Sequence, residues 1–324
     1  MARERLANLT GLSTLFVLWL SMAGCIHLPA DPGYGGPKPL SEETRADYAY
    51  RRYQGSYTEK ILEQNRHYTL KRISFPSNHI ILPQQHDITI DYYAIDAAEK
   101  VPVILVLPIL GGSNNIASSF ARYFTRHGFA AAVVHRQKIY PKQEFLKEID
   151  KLLCQIVFDH KQAIDWVESR PELDASRIGV FGVSMGGIKG ALISALDPRI
   201  GASVLVLAAG DLPYILARSN DKGIIKRRNA LLAEKTLTPE QLQQELTEKI
   251  RCDPINYAEH IDADKTLMIL ARFDAVVPYH KGLELKEKIG NPETILLWSG
   301  HYSAIVYIYY VKYQSRKFLQ QHLQ

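Results

Sequence analysis

The sequence predicts an α/β protein in which a mainly parallel sheet carries helices on both faces. Apolar and β-branched runs alternate with segments whose apolar residues have helical spacing, and such alternation is typical of parallel sheets. The run at residues 178–183 ends in the pattern Gly182-x-Ser184-x-Gly186 and opens directly into a helical segment. Between residues 209 and 264 the alternation stops and a polar segment takes its place. This segment is expected to form a small helical cap.

The elements follow in order from an antiparallel pair predicted at residues 68–75 and 87–95. Residues 101–108 form a continuous apolar run, as expected for a strand buried on both faces. Further strands are predicted at residues 129–134, 178–183, 202–208, 266–273 and 293–298, and helices at residues 116–124, 145–167, 188–196, 282–289 and 304–323. We therefore place the catalytic domain at residues 68–324.

The polar segment at residues 209–264 contains a helix start signal. Thr238 is followed by Pro239 and Gln241, which is the layout of a capping box with proline at the first helical position. A helix is expected from there to about residue 250. Since a cap covers the substrate pocket, its sequence would set substrate choice.

Charge gives no indication of a nucleic-acid partner. The net charge of +5 is small for 324 residues and is spread along the chain. The basic cluster Lys226-Arg227-Arg228 is interpreted as a solvated helix face.

The N-terminus has the layout of a targeting segment. Two arginines precede the apolar residues 12–20, and small residues lead into Cys25. Residues 20–25 resemble a bacterial lipobox, although Met22 stands where that motif usually carries leucine. Residues 1–24 are accordingly predicted to be a lipoprotein signal peptide, and Cys25 to carry the acyl chains. The alternative, an uncleaved transmembrane anchor, needs about 20 apolar residues, and polar residues interrupt this run. By the same resemblance, Ile26 favours the periplasmic leaflet of the outer membrane.

Residues 25–67 are predicted to be a tether and an N-terminal segment. Residues 26–44 are rich in proline and glycine, which favours an extended tether. Residues 47–68 interleave tyrosines with basic residues, a pattern that can bind sugars, nucleic acid or membranes. A short amphipathic helix packed on the domain is the preferred interpretation.

Ser184 is the candidate nucleophile. A strand, a sharp turn and a helix around Gly182-x-Ser184-x-Gly186 form a nucleophile elbow, which points the serine hydroxyl out above the sheet. A serine hydroxyl is a weak nucleophile and needs an imidazole base held by a carboxylate. The chain order on such an elbow is serine, acid, histidine.

His301 and Asp274 are the candidate partners. His301 lies in a loop directly after the strand at 293–298, whereas His280 and His322 fall on predicted helices. Asp274 ends a core strand, where open α/β sheets place ligand chemistry. Asp211 is the reserve acid.

Backbone N–H groups are expected to stabilise the oxyanion that forms when the serine attacks a carbonyl. Met185 follows the nucleophile, and the loop after the strand at 101–108 should supply the second donor. Leu110 is the first choice there and Gly111 the second.

Three motifs together resemble the α/β-hydrolase superfamily, nearest its dienelactone-hydrolase-like and acetyl-esterase-like branches. They are the elbow around Ser184, the Asp274 turn that runs to Pro278, and Gly300-His301-Tyr302. The resemblance covers about residues 68–323 and implies an acyl-enzyme mechanism on esters, thioesters or amides. One departure is His135-Arg136-Gln137-Lys138, where many relatives have an Asp-x-Arg-Gly-like turn. His135 and Arg136 either contact an anionic substrate or, as preferred, form a satisfied loop pair.

Other chemistries have weak signals. The sequence contains no His/Cys cluster with metal spacing, no phosphate-binding loop and no dinucleotide fingerprint, so neither cofactor nor metal is expected. Cys154 and Cys252 either form a disulfide, or Cys154, which adjoins an apolar helix face, is simply buried.

The leading function is an envelope-anchored esterase acting on small-molecule ester or acyl substrates. The alternatives are a peptidase of the same superfamily, disfavoured because the sequence shows no large N-terminal gating domain, and a non-catalytic binding protein on a hydrolase scaffold.

Overall fold

The computed structural model describes residues 25–82, 84–111, 113–136 and 146–324. Within them one sheet has the strand order β1-β10-β9-β8-β7-β5-β6-β4-β3-β2. Its strands are β1 (Ile26–Leu28), β2 (Thr58–Gln64), β3 (Thr69–Pro76), β4 (Asp87–Ala94), β5 (Val101–Leu107), β6 (Ala130–Val134), β7 (Leu173–Val183), β8 (Ile200–Val206), β9 (Thr266–Ala271) and β10 (Glu293–Leu297). Six neighbouring strands, β10, β9, β8, β7, β5 and β6, are parallel to one another. At the two sides of the sheet, β1 and the strands β4, β3 and β2 run antiparallel to their neighbours. The predicted mainly parallel sheet is confirmed.

The helices lie on both faces of this sheet. They are α1 (Glu42–Asp47), α2 (Asn115–Thr125), α3 (Ile149–Glu168), α4 (Met185–Leu196), α5 (Leu212–Arg218), α6 (Lys222–Lys235), α7 (Pro239–Lys249), α8 (Pro254–Tyr257), α9 (Tyr279–Ile289) and α10 (Ile308–Leu323). Side chains of α2 and α10 pack in one apolar cluster, whereas those of α3, α4 and α9 pack in the other. The β5 strand between the two clusters is buried along its whole length, as its continuous apolar run predicts.

The segment at 209–264 forms α5 to α8 and two 3₁₀ turns. Its capping box is present, because the Thr238 hydroxyl accepts from the Gln241 N–H at 3.2 Å and the Gln241 side chain accepts from the Thr238 N–H at 2.8 Å. Of the basic cluster on α6, Arg228 donates to the carbonyls of Ala217 and Ser219, near the end of α5. That cluster is therefore only partly a solvated face.

The prediction of an amphipathic helix over residues 47–68 is wrong. Its second half is β2, an exposed strand that extends the sheet beside β3. Its first half is irregular and is held on α3 by Asp165, which accepts from the Tyr50 hydroxyl at 2.7 Å and from the Tyr53 N–H at 2.8 Å. The tyrosines of this segment are thus separate anchors of an extended chain.

The segment predicted as a tether is extended and also lies against the domain. Strand β1 pairs antiparallel with β10, the Tyr34 hydroxyl donates to the Ile261 carbonyl at 3.0 Å, and the Lys38 N–H donates to the Glu259 carbonyl at 2.8 Å. These long-range bonds fix residues whose local sequence predicts no packing.

Candidate active site

Ser184 lies on a sharp turn between β7 and α4. Its backbone has φ 56° and ψ −122°, a left-handed conformation that costs free energy in a residue with a side chain. The flanking glycines make the turn possible. A Cβ on Gly182 would lie 2.1 Å from the Gly186 carbonyl oxygen, and a Cβ on Gly186 would lie 2.1 Å from the Leu107 carbonyl oxygen. The elbow therefore has room for no side chain at either position.

The structure brings the three predicted polar side chains together. His301 Nε2 lies 3.0 Å from Ser184 Oγ, and His301 Nδ1 lies 2.6 Å from Asp274 Oδ2. A proton on Nδ1 donated to the carboxylate leaves Nε2 free to accept from the serine hydroxyl. This tautomer is the one that a general base requires.

Asp274 is held in place by the turn that follows β9. Its Oδ1 accepts from the N–H groups of Val276 at 2.9 Å and Val277 at 2.8 Å, and the residue is buried. The reserve acid, Asp211, instead caps α5 and pairs with Lys281 at 2.7 Å. Asp274 is thus the carboxylate that meets the imidazole.

The predicted oxyanion donors border the same cavity. Leu110, Gly111 and Met185 line it beside Ser184 and His301. Met185 is the first residue of α4, and the first N–H groups of a helix lack partners within the helix. Leu110 remains the first choice for the second donor and Gly111 the second.

Arg136 supports the loop that carries Leu110. Its guanidinium donates to the Ile109 carbonyl at 3.0 Å, and the neighbouring His135 lies 2.8 Å from Asp91. These bonds agree with the preferred interpretation, in which His135 and Arg136 form a satisfied loop pair rather than contact a substrate. The specific partner of Arg136 is a tertiary contact that no sequence signal reveals. Gln137 and Lys138 lie outside the described residues.

Above Ser184 lies an apolar cavity of about 500 Å³. Ile116 and Phe120 of α2 line one wall, and Val276 and Val277 line another. The cap supplies Leu212, Ile215 and Leu216 from α5 and Ile224 from α6. Such a volume accommodates a small organic ligand, and its lining favours an apolar group. Sequence reasoning located the cap but did not identify these residues.

Tyr302 joins the loop of His301 to the cap. Its hydroxyl donates to Asp221 Oδ2 at 2.8 Å, at the N-terminus of α6, and both residues border the cavity. This hydrogen bond, with burial as a second cause, raises the pKa of Tyr302 to about 12. The phenol therefore remains a donor at neutral pH.

Lys189 is a buried cation in the helix that follows the nucleophile. Burial, and next the charge of Arg136, lower the pKa of Lys189 to about 7. Sequence reasoning missed this residue, because a lysine among the apolar positions of a helix gives no sign of how deeply it is buried.

Cys154 and Cys252 are both thiols in the structure. Burial, together with the contact to Cys154, raises the pKa of the Cys252 thiol well above its usual range. The Cys252 sulfur also accepts from the Tyr48 hydroxyl at 3.3 Å. Cys252 is buried and Cys154 is partly buried.

The described residues form neither a metal site nor a membrane-spanning helix. Over the four described ranges, no group of three or more His, Cys, Asp or Glu side chains is arranged to hold a metal ion. Among the helices in those ranges, none combines the length and apolarity needed to cross a bilayer.

Part of the chain matches a known protein family. Residues 90–229 match the model of the Dienelactone hydrolase family. No curated protein sequence matches the chain. The family match covers less than half of the chain and agrees with the resemblance that the motifs show.

Solved structures share this fold. Acetyl xylan esterase 1 from Thermoanaerobacterium sp. JW/SL YS485 is 18% identical, with a TM-score of 0.61 over 86% of this chain and 96% of the other. The acetyl xylan esterase from Paenibacillus sp. R4 is 18% identical, with a TM-score of 0.61 over 84% and 92%. The Pyrococcus horikoshii acylaminoacyl peptidase is 15% identical, with a TM-score of 0.60 over 80% of this chain and 42% of the other. At these identities the likeness shows the α/β-hydrolase fold.

Proposed function

We propose that this α/β-hydrolase is a serine hydrolase that cleaves carboxylic esters or thioesters. The observation that carries the proposal is the chain of hydrogen bonds from Ser184 through His301 to Asp274, on a strained elbow facing an apolar cavity. The dienelactone hydrolase match supports ester chemistry.

Acylation begins when Ser184 Oγ attacks the ester carbonyl and its proton passes to His301 Nε2. Asp274 stabilises the resulting imidazolium through Nδ1. The N–H groups of Met185 and Leu110 donate to the carbonyl oxygen as it becomes negative. His301 then gives its proton to the departing alcohol or thiol, which leaves an acyl group on Ser184.

Deacylation repeats the sequence with water. His301 takes a proton from a water molecule while the water oxygen attacks the acyl carbon. His301 then returns this proton to Ser184 Oγ as the acid leaves. The products are the free acid and the regenerated serine. The cavity holds the acyl or alcohol part of the substrate by burying apolar surface.

A fluorophosphonate probe tests the nucleophile, because it forms a covalent bond only with an activated serine. We expect wild-type protein to be labelled and Ser184→Ala to remain unlabelled, with Ser176→Ala at an exposed position of β7 as the matched control. Equal labelling of wild type and Ser184→Ala would contradict the proposal and favour a non-catalytic binding protein.

A peptidase is the second candidate, favoured by the fold shared with an acylaminoacyl peptidase. Hydrolysis of p-nitrophenyl esters and of aminoacyl p-nitroanilides by the same preparation separates the two activities. We expect turnover of the esters; faster turnover of the amides would make the protein a peptidase.

We also propose that the protein is lipid-anchored in a bacterial envelope through Cys25, on the outer membrane's periplasmic leaflet. The lipobox-like residues 20–25 support this proposal. Incorporation of radiolabelled palmitate into wild type but not into Cys25→Ser would support it. Incorporation into both proteins, or into neither, would contradict it.

A further inference from the structure

The point where the described chain begins lies at the same edge of the sheet as the active site. Strand β1 is antiparallel to β10, with Ile26 opposite Leu296, so Cys25 lies beside the carboxyl end of β10. From that end the chain continues through Trp298 to His301. The residues before Cys25, which include the apolar stretch 12–20, therefore join the domain next to the catalytic loop.

Cys25 is held to α10 at this edge. The unmodified thiol makes a hydrogen bond with the Tyr310 hydroxyl. The His27 ring contacts the same hydroxyl, and this contact does not depend on the thiol that the proposed acylation would modify. The attachment point consequently has a fixed position relative to α10.

An exposed apolar surface surrounds the same edge. We call it the aromatic rim, and it consists of Phe273, Trp298, Tyr302, Ile305, Val306, Tyr309 and Tyr313. These are seven of the eleven large hydrophobic side chains exposed in the described part of the protein, so their exposure is concentrated rather than scattered. A concentration of this kind marks a docking surface.

The aromatic rim is continuous with the cavity. Tyr302 and Ile305 belong to both, because they also line the space above Ser184. Phe273 and Trp298 pack edge to face with ring centroids 5.0 Å apart. Tyr309, on the first turn of α10, is 75% exposed. A substrate that enters across the rim can therefore remain in apolar surroundings.

Cations lie against the aromatic rim. The Arg272 guanidinium is 5.0 Å from the Trp298 ring centroid, and the Arg316 guanidinium is 5.2 Å from that of Tyr313. Residues 302–324 include Arg316 and the exposed Lys317 but no aspartate or glutamate, while Lys312 is buried and donates to the Ser119 hydroxyl. Asp221, which accepts from Tyr302, is a carboxylate in contact with the rim.

This composition indicates the chemistry of the occupant. Trp and Tyr concentrate where a bilayer meets water, and nearby Lys and Arg are attracted to anionic lipid headgroups. We propose that the aromatic rim docks on an anionic lipid bilayer, with the cavity mouth facing the acyl chains. The substrate class is then an acyl ester that resides in the membrane. The substrate class rests on the proposed hydrolase activity. The docking rests on the rim and, through the position of Cys25, on the proposed lipid anchor.

Fluorescence quenching by brominated lipids tests the docking. The protein carries Trp19→Phe, so that any chain from which residues 1–24 are not cleaved adds no emitter, and it is reconstituted into vesicles of phosphatidylglycerol and brominated phosphatidylcholine. Trp298 and the buried Trp166 are then the emitters. The control carries Trp298→Phe and Ile61→Trp, which moves the exposed indole to β2 at the other end of the strand order.

We expect the quenching of Trp298 to exceed that of the control by at least about twofold. Equal quenching in the two proteins would overturn the docking. It would also be the result if residues 12–20 of this chain, or a second copy, covered the rim.

A pair of substitutions tests the substrate class. Val306→Glu with Tyr309→Glu places two carboxylates on the rim at positions that do not line the cavity, and Ile61→Glu with Leu62→Glu on β2 is the matched control. We expect the rim variant to lose at least about tenfold in hydrolysis of an ester embedded in anionic vesicles. Hydrolysis of soluble p-nitrophenyl acetate should remain at the wild-type rate.

Two outcomes would overturn the proposed substrate class. One is unchanged hydrolysis of the vesicle-borne ester, and the other is an equal loss on both substrates. Failure of the proposed function has a separate signature, because Ser184→Ala would then retain turnover while the quenching of Trp298 still reported docking.

Discussion

His301 Nε2 lies 3.0 Å from Ser184 Oγ, although 117 positions separate the two residues along the chain. The contact exists because β7 and β10 end at the same edge of one parallel sheet. Asp274 fixes the other imidazole nitrogen through a 2.6 Å hydrogen bond. The orientation of the base thus depends on this carboxylate.

Asp274→Asn is expected to lower kcat by about 10⁴-fold, because the amide no longer favours the tautomer in which Nε2 accepts a proton. Steady-state hydrolysis of p-nitrophenyl butyrate measures the effect, and far-UV circular dichroism checks the fold. Asp211→Asn is the control and should retain near wild-type kcat. Loss of less than about tenfold in Asp274→Asn would show that another group orients the base.

Gly186→Ala is expected to abolish activity and to destabilise the protein by about 3 kcal/mol, since the added Cβ would lie 2.1 Å from the Leu107 carbonyl oxygen. Urea unfolding and fluorophosphonate labelling report the two effects. Gly35→Ala, where a Cβ meets nothing within 4 Å, is the control. Wild-type labelling of Gly186→Ala would mean that the elbow tolerates a wider turn.

Ile224→Trp is expected to reduce hydrolysis of p-nitrophenyl octanoate by at least about tenfold more than that of the acetate, because the larger ring fills part of the cavity. The neighbouring Ile225 does not line the cavity, so Ile225→Trp should leave the octanoate-to-acetate ratio unchanged. Ratios of kcat/KM measure the effect. An equal shift in both variants would indicate that the cavity does not hold the acyl chain.

Lys189→Met should stabilise the protein, and the gain should depend on pH. The pKa of Lys189 is about 7 in the folded protein against an ordinary 10.5, so between these values the folded state binds fewer protons than the unfolded state. The stability of the wild type therefore rises with pH across this window. Replacing the buried amine removes its desolvation cost, so the gain is greatest near or below pH 7 and shrinks toward pH 10.5.

Urea unfolding at pH 6.5 and pH 9.5 measures this dependence. The expected gain at the lower pH is on the order of a few kcal/mol. Exposed Lys226→Met serves as the control and should change stability little at either pH. A gain in Lys189→Met that is equal at both pH values would show that folding does not lower the pKa of Lys189, so that the amine stays protonated in the folded protein.

The sequence by itself determined the order of the strands from β3 to β10, the elbow at Ser184 and the capping box at Thr238. Each of these is local, because side-chain periodicity and turn chemistry act within about ten residues. It also selected His301 and Asp274, since both follow predicted core strands.

Only the tertiary structure decided what depends on contacts between distant residues. One is the pairing of the exposed strand β2 with β3, because the sequence of β2 has no apolar–polar alternation that would predict a strand. Another is the hydrogen bond from Arg136 to the Ile109 carbonyl. The antiparallel register that sets Cys25 beside the catalytic edge is another such contact. Strand register and pocket lining are set when the whole core packs, and no local pattern encodes which distant segment will be the neighbour.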